Sequence, residues 1–366
     1  IGIGFHWQRD EVQSFQGSLK LIATPGGITL INRIEAERYL RSVISSEMCA
    51  TSSVELLKAH AIISRSWLLA QIDKKHARHD DVTYHVAEHD GITDITRWYD
   101  HSDHDLFDVC ADDHCQRYQG INRADTPAVD NAIRQTAGMV LMYGDELCDA
   151  RFSKCCGGVL EQFENCWQPD IHPYLSAVRD DEDSSAIPDL SNEAEATKWI
   201  MSSPQAYCNT TDRTVLTQVL NTYDMETPDF YRWTEQYQQA ELAEMIRTRS
   251  GIDFGQILSL TPMSRGTSGR ITRLKITGTK RTVTVGKELE IRKWLSTSHL
   301  YSSAFVVEPG PFDQGGIPQS FTLHGAGWGH GVGLCQIGAA MMAHHNHKYD
   351  DILMHYYPGS RIEKIY

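Results

Sequence analysis

The sequence predicts an α+β protein in which helices and antiparallel strands occupy separate stretches of the chain. Short runs of alternating apolar residues, broken by glycine and proline, fill the first 34 residues and indicate strands and turns. Two stretches with helical spacing follow between residues 39 and 72. Alternation returns between residues 252 and 307, so we expect further strands there.

The 366 residues carry a formal net charge of -14 at neutral pH. Nucleic acids and anionic membranes attract clustered Lys and Arg, so this charge argues against both as partners. An anionic substrate would have to meet a local basic cleft. The sequence has no run of about 18 apolar residues, so it predicts no integral membrane segment. The first residues lack the order of a signal peptide, so we expect the chain to start as a mature or trimmed product would.

The two helical stretches are followed by an irregular region. Ser52 and Glu55 have the spacing of a capping box, which predicts that Ser52 starts the second helix. Residues 76–120 are rich in His and Asp and show little periodicity. They predict a long loop with short strands that needs outside help, such as a metal, to stay ordered.

An acidic and polar segment at residues 170–251 interrupts the second half of the chain. We interpret it as an inserted subdomain or lid within a single domain of residues 1–366, whose first 34 residues form a β-rich scaffold. A helical pattern runs from residue 229 to residue 249 inside the insert. The other predicted elements are a helix near 128–136, strands at 139–143 and 149–153, a short helix at 287–295 and two amphipathic helices in the tail.

Glu47 stands out among the charged residues of the first helix. It continues the spacing of Leu40, Val43 and Ile44 at i, i+3, i+4 and i+7, so it falls on the face that turns toward the interior. A carboxyl group there is unusual. Burial favours its protonated form, which is what a general acid near neutral pH requires.

Two cations of the second helix are candidate partners of that glutamate. Lys58 and Arg65 lie seven residues apart, two turns along one side, and we expect them to line the same cleft as Glu47. The alternative is that Glu47 forms an ion pair with Arg65 or Lys58 inside the core. Helical spacing alone does not choose between the two.

Residues 101–115 bring together imidazole and thiol groups, which suit zinc. His104, Cys110 and Cys115 are the preferred ligands, with His114, His101 or water as the fourth. The spacing matches no standard zinc finger. A disulfide between Cys110 and Cys115 and a loop of unrelated residues are the alternatives.

Nine cysteines permit metal binding, some disulfides or free buried thiols. Cys155 and Cys156 are adjacent, and neighbouring cysteines rarely bond to each other. The glycines that follow them indicate tight packing. We interpret the pair as small buried residues or as partners in distant disulfides.

A glycine-dense stretch at residues 324–333 leads into a helical stretch at 334–345. No Lys-Ser or Lys-Thr follows it as a P-loop demands, and it does not sit in an early βαβ unit, so we expect no nucleotide. Trp328 and His330 fit better with stacking on, and hydrogen bonding to, a sugar face. A buried tight turn is the alternative.

Several blocks, taken together and in order, resemble the SpoIID/LytB family. They cover residues of about 39 to 359, without the acidic segment near 170–250. The blocks are Ser46-Glu47-Met48, Leu57-Lys58-Ala59 with Arg65, Cys110-x4-Cys115-Gln116, Ser153-x2-Cys156-Gly157-Gly158, Gly327-Trp-Gly-His-Gly-Val-Gly333 with Gln336, and His355-Tyr-Tyr-Pro-Gly359.

This resemblance implies a SpoIID-like fold around a substrate cleft and a peptidoglycan lytic transglycosylase. Such an enzyme cleaves between N-acetylmuramic acid (MurNAc) and N-acetylglucosamine (GlcNAc) in strands stripped of stem peptides, and leaves a 1,6-anhydro end. The resemblance implies Glu47 as the acid-base residue and Zn2+ at His104 and Cys110, with Cys115 as a further ligand. Candidate substrate-binding residues are Lys58, Arg65, Ser153, Trp328, His330 and Gln336.

The same resemblance implies an exported protein of the cell envelope that binds peptidoglycan glycan strands, with a cell-wall amidase as a further partner. Amidase enhancers belong to the same broad family, so a noncatalytic wall-binding protein is the main alternative. A zinc hydrolase is a third interpretation, and it would need an open metal site and a base.

A single obvious carboxylate agrees with transglycosylase chemistry. Hydrolytic glycosidases usually need two carboxyl groups, one as acid and one as base or nucleophile. In a transglycosylase the 6-hydroxyl of the sugar attacks, so one glutamate can protonate the leaving oxygen and accept the hydroxyl proton. The proximity of that hydroxyl replaces the second carboxylate.

Overall fold

The computed structural model describes residues 1, 8–77, 84–89, 91–99, 105–112, 114–122, 124, 126–182, 187–220 and 229–366. Helices and largely antiparallel sheets both occur in it, which confirms the predicted α+β class. Within these residues no helix is both long enough and apolar enough to cross a membrane.

The α-helices of the described residues range from one turn to more than six turns. They are α1 (Ala36–Glu47), α2 (Val54–Ala77), α3 (Pro127–Gln135), α4 (Phe163–Cys166), α5 (Glu193–Ile200), α6 (Arg213–Val219), α7 (Gln239–Ser250), α8 (Glu288–Trp294), α9 (Gln336–His344) and α10 (Tyr349–Tyr356).

The strands form five small sheets. A hairpin pairs β1 (Ser18–Thr24) with β2 (Gly27–Arg33), and a second sheet has the order β3 (Tyr84–His89), β4 (Ile92–Arg97), β11 (Thr282–Gly286), β10 (Ile271–Gly278) and β9 (Ile257–Arg265). A third has the order β12 (Phe305–Pro309), β13 (Ser320–Ala326) and β8 (Arg232–Gln238). The last two are β14 (Leu334–Cys335) with β7 (Phe152–Ser153), and β15 (Arg361–Lys364), β5 (Met139–Tyr143) and β6 (Glu146–Leu147).

Helix α2 is the centre of the first hydrophobic core. Apolar residues such as Leu57, Ile62 and Ile63 are fully buried on different sides of it. A helix that is apolar all round needs neighbours on every side, and α2 contacts α1, α3, α9, α10 and β5. The first helix, predicted from Tyr39 onward, is confirmed as α1.

The predicted capping box at the start of α2 is wrong by one residue. Ser53 provides the cap, because its Oγ accepts a hydrogen bond from the Leu56 backbone N–H at 3.3 Å. The hydroxyl of Ser52 instead donates to the carbonyl oxygens of Cys49 at 2.5 Å and Gln218 at 2.6 Å. Ser52 therefore joins α2 to a distant segment.

A second core lies between the five-stranded sheet, the three-stranded sheet and helices α7 and α8. The segment at residues 170–251 contributes to both cores, with Tyr174 and Val215 in the first and Trp233 and Leu242 in the second. The helical pattern predicted from residue 229 is strand β8 in its first half, because residues 232–238 pair with β13. Movement of the segment as a lid stays a prediction.

Two long-range pairings assemble the sequence blocks into one place. Strands β7 and β14 pair in parallel, which sets Ser153 beside Cys335. An isolated antiparallel bridge joins Cys155 to Trp328, with backbone hydrogen bonds of 3.1 and 2.7 Å. The segment after β6 and the glycine-rich tail therefore form a common surface.

Candidate functional site

A cleft of about 480 Å³ opens where that surface meets the end of α1. Its volume lies in the range of pockets that hold small ligands or part of a polymer. Seven of the residues singled out in the sequence line it, namely Glu47, His114, Cys115, Ser153, Trp328, His330 and Gln336.

Glu47 is the last residue of α1 and is only 7% exposed. One of its oxygens, Oε1, accepts a hydrogen bond from the backbone N–H of Arg117 at 2.9 Å. Nearby, the Oγ of Ser46 accepts a longer bond from the backbone N–H of Gln119 at 3.4 Å. The chain at residues 117–119 thus holds the end of α1, and among the described residues no second group bonds to the Glu47 carboxylate.

The structure does not bring Arg65 to this cleft. Its guanidinium group is fully buried and donates to both carboxylate oxygens of Glu37, at 2.8 and 2.7 Å. A further bond of 2.9 Å goes to the carbonyl of Met139. The expectation that Arg65 shares the cleft with Glu47 is corrected by these contacts, and so is the alternative of a Glu47–Arg65 ion pair.

Lys58 is also absent from the cleft lining among the described residues. Its Nζ pairs with Glu55 at 2.9 Å and lies 5.4 Å from the centre of the Tyr349 ring. Spacing of seven residues did place Lys58 and Arg65 on one side of α2, but that side faces the start of α1 and α10 instead of the end of α1.

Other cations supply the basic lining that the sequence predicted in general terms. They come from loops and from α8, where no periodic pattern marks them. Two of them adjoin the sequence blocks that resemble the family, because Arg117 follows Gln116 and Lys154 follows Ser153. This position next to a block is the feature from which the sequence could have predicted them as cleft residues. The cationic lining residues are Arg117, Arg151, Lys154, Arg292 and Lys293.

Aromatic rings hold several of these cations in place. The guanidinium of Arg151 lies 4.4 Å from the centre of the Trp167 ring and forms an ion pair with Asp149 at 2.7 Å. The ammonium of Lys293 lies 3.9 Å from the Tyr99 ring, and burial lowers its pKa from the ordinary value. Arg151 and Lys293 are therefore positioned in the cleft by contacts with neighbouring side chains.

Two further carboxylates line the cleft, those of Asp112 and Glu288. Glu288 is 4% exposed and forms an ion pair with Arg292 at 3.3 Å. The backbone carbonyl of Asp112 accepts hydrogen bonds within the loop that carries Cys110 and Cys115. The sequence predicted a single carboxylate at the site, whereas three line the cleft. A test of catalysis must therefore distinguish Glu47 from Asp112 and Glu288.

Ser153 and Gln336 present polar groups on the cleft floor. The Ser153 Oγ is buried and bonds to none of the described residues. The amide of Gln336 contacts the Nε2 of His60 at 3.3 Å. Burial lowers the pKa of His60 to about 3, so this ring is neutral and holds the glutamine at the start of α9.

Trp328 packs its ring between those of Phe230 and Tyr301, with centroid distances of 4.6 and 4.3 Å. The Nδ1 of His330 accepts a hydrogen bond from the backbone N–H of Val332 at 3.0 Å. Burial holds the pKa of His330 well below its usual range, so the ring is neutral. The glycine-rich tail thus lines the cleft with the indole ring of Trp328, which two aromatic rings hold in place, and with the imidazole ring of His330, which a hydrogen bond orients.

Three predicted or alternative zinc ligands lie together beside the cleft, and two of them, His114 and Cys115, line it. One donor atom from each of Cys110, His114 and Cys115 lies within 4.8 Å of the other two. A hydrogen bond from the Cys115 thiol lowers the pKa of Cys110 well below its usual range, and the same bond raises the pKa of Cys115. This donor set fits zinc. His104 and His101 lie outside the described residues.

Comparison with known proteins gives two family matches. Residues 24–143, which include Glu47 and the Cys110–Cys115 loop, match the family model described as stage II sporulation protein. This match, together with the curated relatives described below, supports the SpoIID family for this chain. Residues 161–333 match a second model, a domain of unknown function called DUF8618.

Curated relatives extend the SpoIID match over most of the chain. An amidase enhancer of Bacillus subtilis is 24% identical over 331 residues, which cover 88% of this chain and 40% of that protein. The stage II sporulation protein D of Bacillus subtilis is 23% identical over 338 residues, covering 91% of this chain and 76% of that protein. The Bacillus amyloliquefaciens protein of the same name is 24% identical over 336 residues.

The chain therefore spans two fifths of the amidase enhancer and about three quarters of the Bacillus subtilis sporulation protein. The acidic segment at 170–251 lies wholly within the region that matches the domain of unknown function. That region also supplies Trp328 and His330, so both matched regions contribute to the cleft lining.

Proposed function

We propose that this protein is a peptidoglycan lytic transglycosylase. It cleaves the glycosidic bond between MurNAc and GlcNAc in peptide-stripped glycan strands and leaves 1,6-anhydro-MurNAc ends. The observation that carries the proposal is Glu47, a carboxyl group at the end of α1 that lines the cleft and is held by the Arg117 amide. The match to the SpoIID family supports it.

In the proposed reaction, Glu47 donates its proton to the oxygen that links MurNAc C1 to GlcNAc. The C1–O bond breaks and leaves positive charge on the MurNAc ring. The 6-hydroxyl of the same MurNAc then forms the new C1–O6 bond, and its proton passes to Glu47. The carboxyl group ends the cycle protonated, and no water is consumed.

The basic lining supports binding of muramic acid, which carries a lactyl carboxylate. Lys154 and Arg117 lie in the same lining as Glu47, and charge-assisted hydrogen bonds to a carboxylate are stronger than neutral ones. The part of Trp328 that lines the cleft offers an apolar contact to a sugar, while Phe230 and Tyr301 hold its ring in place. A local positive cleft explains how a chain of net charge -14 binds an anionic polymer.

We propose further that Cys110, His114 and Cys115 hold zinc, with His104 as a predicted ligand outside the described residues. The bound ion would fix the loop. Since Arg117 is two residues beyond Cys115 and its amide holds Glu47, an ordered loop keeps the carboxyl group in place. The substrate lies outside the cytoplasmic membrane, so the protein acts in the cell envelope.

Digestion of purified, peptide-stripped glycan strands tests the proposal. Wild-type protein is expected to release products with 1,6-anhydro-MurNAc ends, detected by mass spectrometry. Glu47→Gln removes the proton that is donated, so the rate should fall by roughly 10²–10⁴-fold. Glu288→Gln is the matched control at another cleft carboxylate, and its rate should fall far less. Equal losses in both variants would contradict the role of Glu47.

A second candidate function is amidase enhancement without cutting, which the similarity to the Bacillus subtilis amidase enhancer supports. In that case folded wild-type protein binds strands but releases no anhydro ends. It raises the activity of a cell-wall amidase, and the Glu47→Gln variant raises that activity equally. The same digestion, joined to an amidase assay, therefore separates the two functions.

A further inference from the structure

A buried group of cysteines lies behind the cleft floor, apart from the Cys110–Cys115 loop. Cys156, Cys208 and Cys335 are each at most 2% exposed, and Asp180 beside them is fully buried. One donor atom from each of the four lies within 4.8 Å of the other three. The four residues come from four separate places in the chain, with 28 positions between Asp180 and Cys208 and 179 between Cys156 and Cys335.

The spacing of the sulfur atoms fits ligands of one metal ion. The Sγ atoms of Cys156 and Cys208 are 3.6 Å apart. A disulfide bond would set them at about 2.05 Å. Two thiolates at about 2.3 Å from a tetrahedral zinc ion are about 3.8 Å apart. Among the described residues, which include all nine cysteines, no disulfide bond forms.

Hydrogen bonds surround the four donor groups as they do around metal ligands. The backbone N–H of Cys156 donates to the Cys335 sulfur at 3.2 Å, and that of Gly158 donates to the Cys156 sulfur at 3.4 Å. The Asp180 carboxylate accepts from the Tyr356 hydroxyl at 2.6 Å and from the Cys208 backbone N–H at 2.9 Å. Such bonds orient ligands and stabilise their negative charge.

Among the described residues, no Lys or Arg forms an ion pair with the fully buried carboxylate of Asp180. Burial of a carboxylate without a compensating charge is costly. A divalent cation between Asp180 and the three sulfur atoms removes that cost.

We propose that Cys156, Asp180, Cys208 and Cys335 bind one zinc ion in a closed, structural site. Three sulfur ligands and one oxygen ligand complete a tetrahedral shell and leave no open position. The ion links the chain after β7, the segment that carries Asp180 and Cys208, and the start of α9. Ser153 and Lys154 precede the first ligand and Gln336 follows the last, so the site supports the cleft floor.

The test measures zinc in full-length protein carrying Cys110→Ser and Cys115→Ser, which removes the other candidate zinc site. Non-denaturing mass spectrometry and elemental analysis should find one zinc ion per chain. Adding Cys208→Ala should abolish that zinc, whereas adding Cys148→Ala, which removes another fully buried thiol, should preserve it. Absence of zinc from the double variant, iron in its place, or a Cys156–Cys208 disulfide in a peptide map would overturn the proposal.

Two further measurements keep the ligand set testable if Cys208→Ala does not fold. Zinc-edge X-ray absorption of the double variant should show three sulfurs at about 2.3 Å and one oxygen at about 2.0–2.2 Å. Asp180→Asn should release zinc to a chelator faster, and Cys155→Ala should not, although Cys155 lies beside Cys208 and Cys335. A shell of four sulfur atoms, or faster zinc release only in Cys155→Ala, would contradict the assignment of Asp180 as a zinc ligand. The digestion assay with Glu47→Gln is independent of each result.

Discussion

At the scale of single residues, burial decides what each cation does. Arg65 is fully buried and joins α2 to Glu37 and to the carbonyl of Met139, so its charge is neutralised inside the fold. Lys154 also donates to a carbonyl, that of Val219, yet it lines the cleft. Both residues are ordinary cations in the sequence, and only their surroundings separate a structural role from a binding role.

Replacement of Arg65 by methionine is expected to lower the free energy of unfolding by about 2–4 kcal/mol, because a buried carbonyl and part of a carboxylate lose their partner. Lys58→Met is the matched control. Its ion pair with Glu55 is partly exposed and should contribute about 1 kcal/mol or less. Chemical denaturation measures both, and similar losses in the two variants would contradict the structural role of Arg65.

The stabilisation by Arg65 should also depend on pH. Burial raises the pKa of Glu37, but the hydrogen bonds from Arg65 and Tyr366 outweigh it and hold that pKa below its ordinary value of 4.5. A group with a lowered pKa in the folded state stabilises fully above its unfolded pKa and loses this effect as the pH falls through the folded value. The gap in Tm between wild type and Arg65→Met should therefore narrow below about pH 4.5.

At the scale of elements, the glycine-rich tail is shaped by close backbone contact. Gly333 precedes β14 and has a φ of +69°, and a Cβ there would overlap the carbonyl oxygen of Arg151 just before β7. The parallel pair of β7 and β14 therefore requires glycine at this position. The sequence shows that glycines are frequent in this stretch. It does not show why Gly333 is required, because the strand that packs against it, β7, lies about 180 residues earlier in the chain.

Gly333→Ala is expected to lower the free energy of unfolding by roughly 3–5 kcal/mol, from a strained φ and the overlap with backbone together. Gly251→Ala provides a matched control, because Gly251 has a φ of +74° but a Cβ there would meet nothing within 4 Å. That variant should lose only about 1–2 kcal/mol. Equal losses in thermal or urea unfolding would show that strain alone, and not the β7–β14 contact, explains Gly333.

At the scale of the whole molecule, two hydrophobic cores share one cleft. Glu47 and Ser153 stand on the side of the first core, whereas Glu288 and Lys293 belong to α8 beside the second. A chain with a net charge of -14 thus concentrates cations where its two cores meet. A glycan strand bound there would contact both parts of the molecule.

Binding of peptide-stripped strands is therefore expected to raise the Tm of Glu47→Gln protein by a few degrees, since a ligand at 100 times its Kd stabilises by about 2.7 kcal/mol. Adding Lys154→Met should reduce the shift, because a cleft cation is lost. Adding Lys58→Met should leave it unchanged. Differential scanning fluorimetry compares the three, and equal shifts would contradict binding in the basic cleft.

The sequence alone determined the features that depend on near neighbours. The α+β class, helix α1 with Glu47 on its inward face and the burial of Cys155 and Cys156 follow from spacing and composition, and the structure confirms them. Helical and strand periodicities act over a few residues, so they are visible in a single chain.

Tertiary structure decided everything that depends on which distant residues meet. It placed Arg65 against Glu37, gave the cleft its cations from loops, turned residues 232–238 into a strand through pairing with β13, and gathered Cys156, Cys208 and Cys335 around Asp180. Each of these outcomes depends on contacts between segments far apart in the chain. A local sequence pattern does not reveal which distant residues will be buried together or hydrogen-bonded to each other.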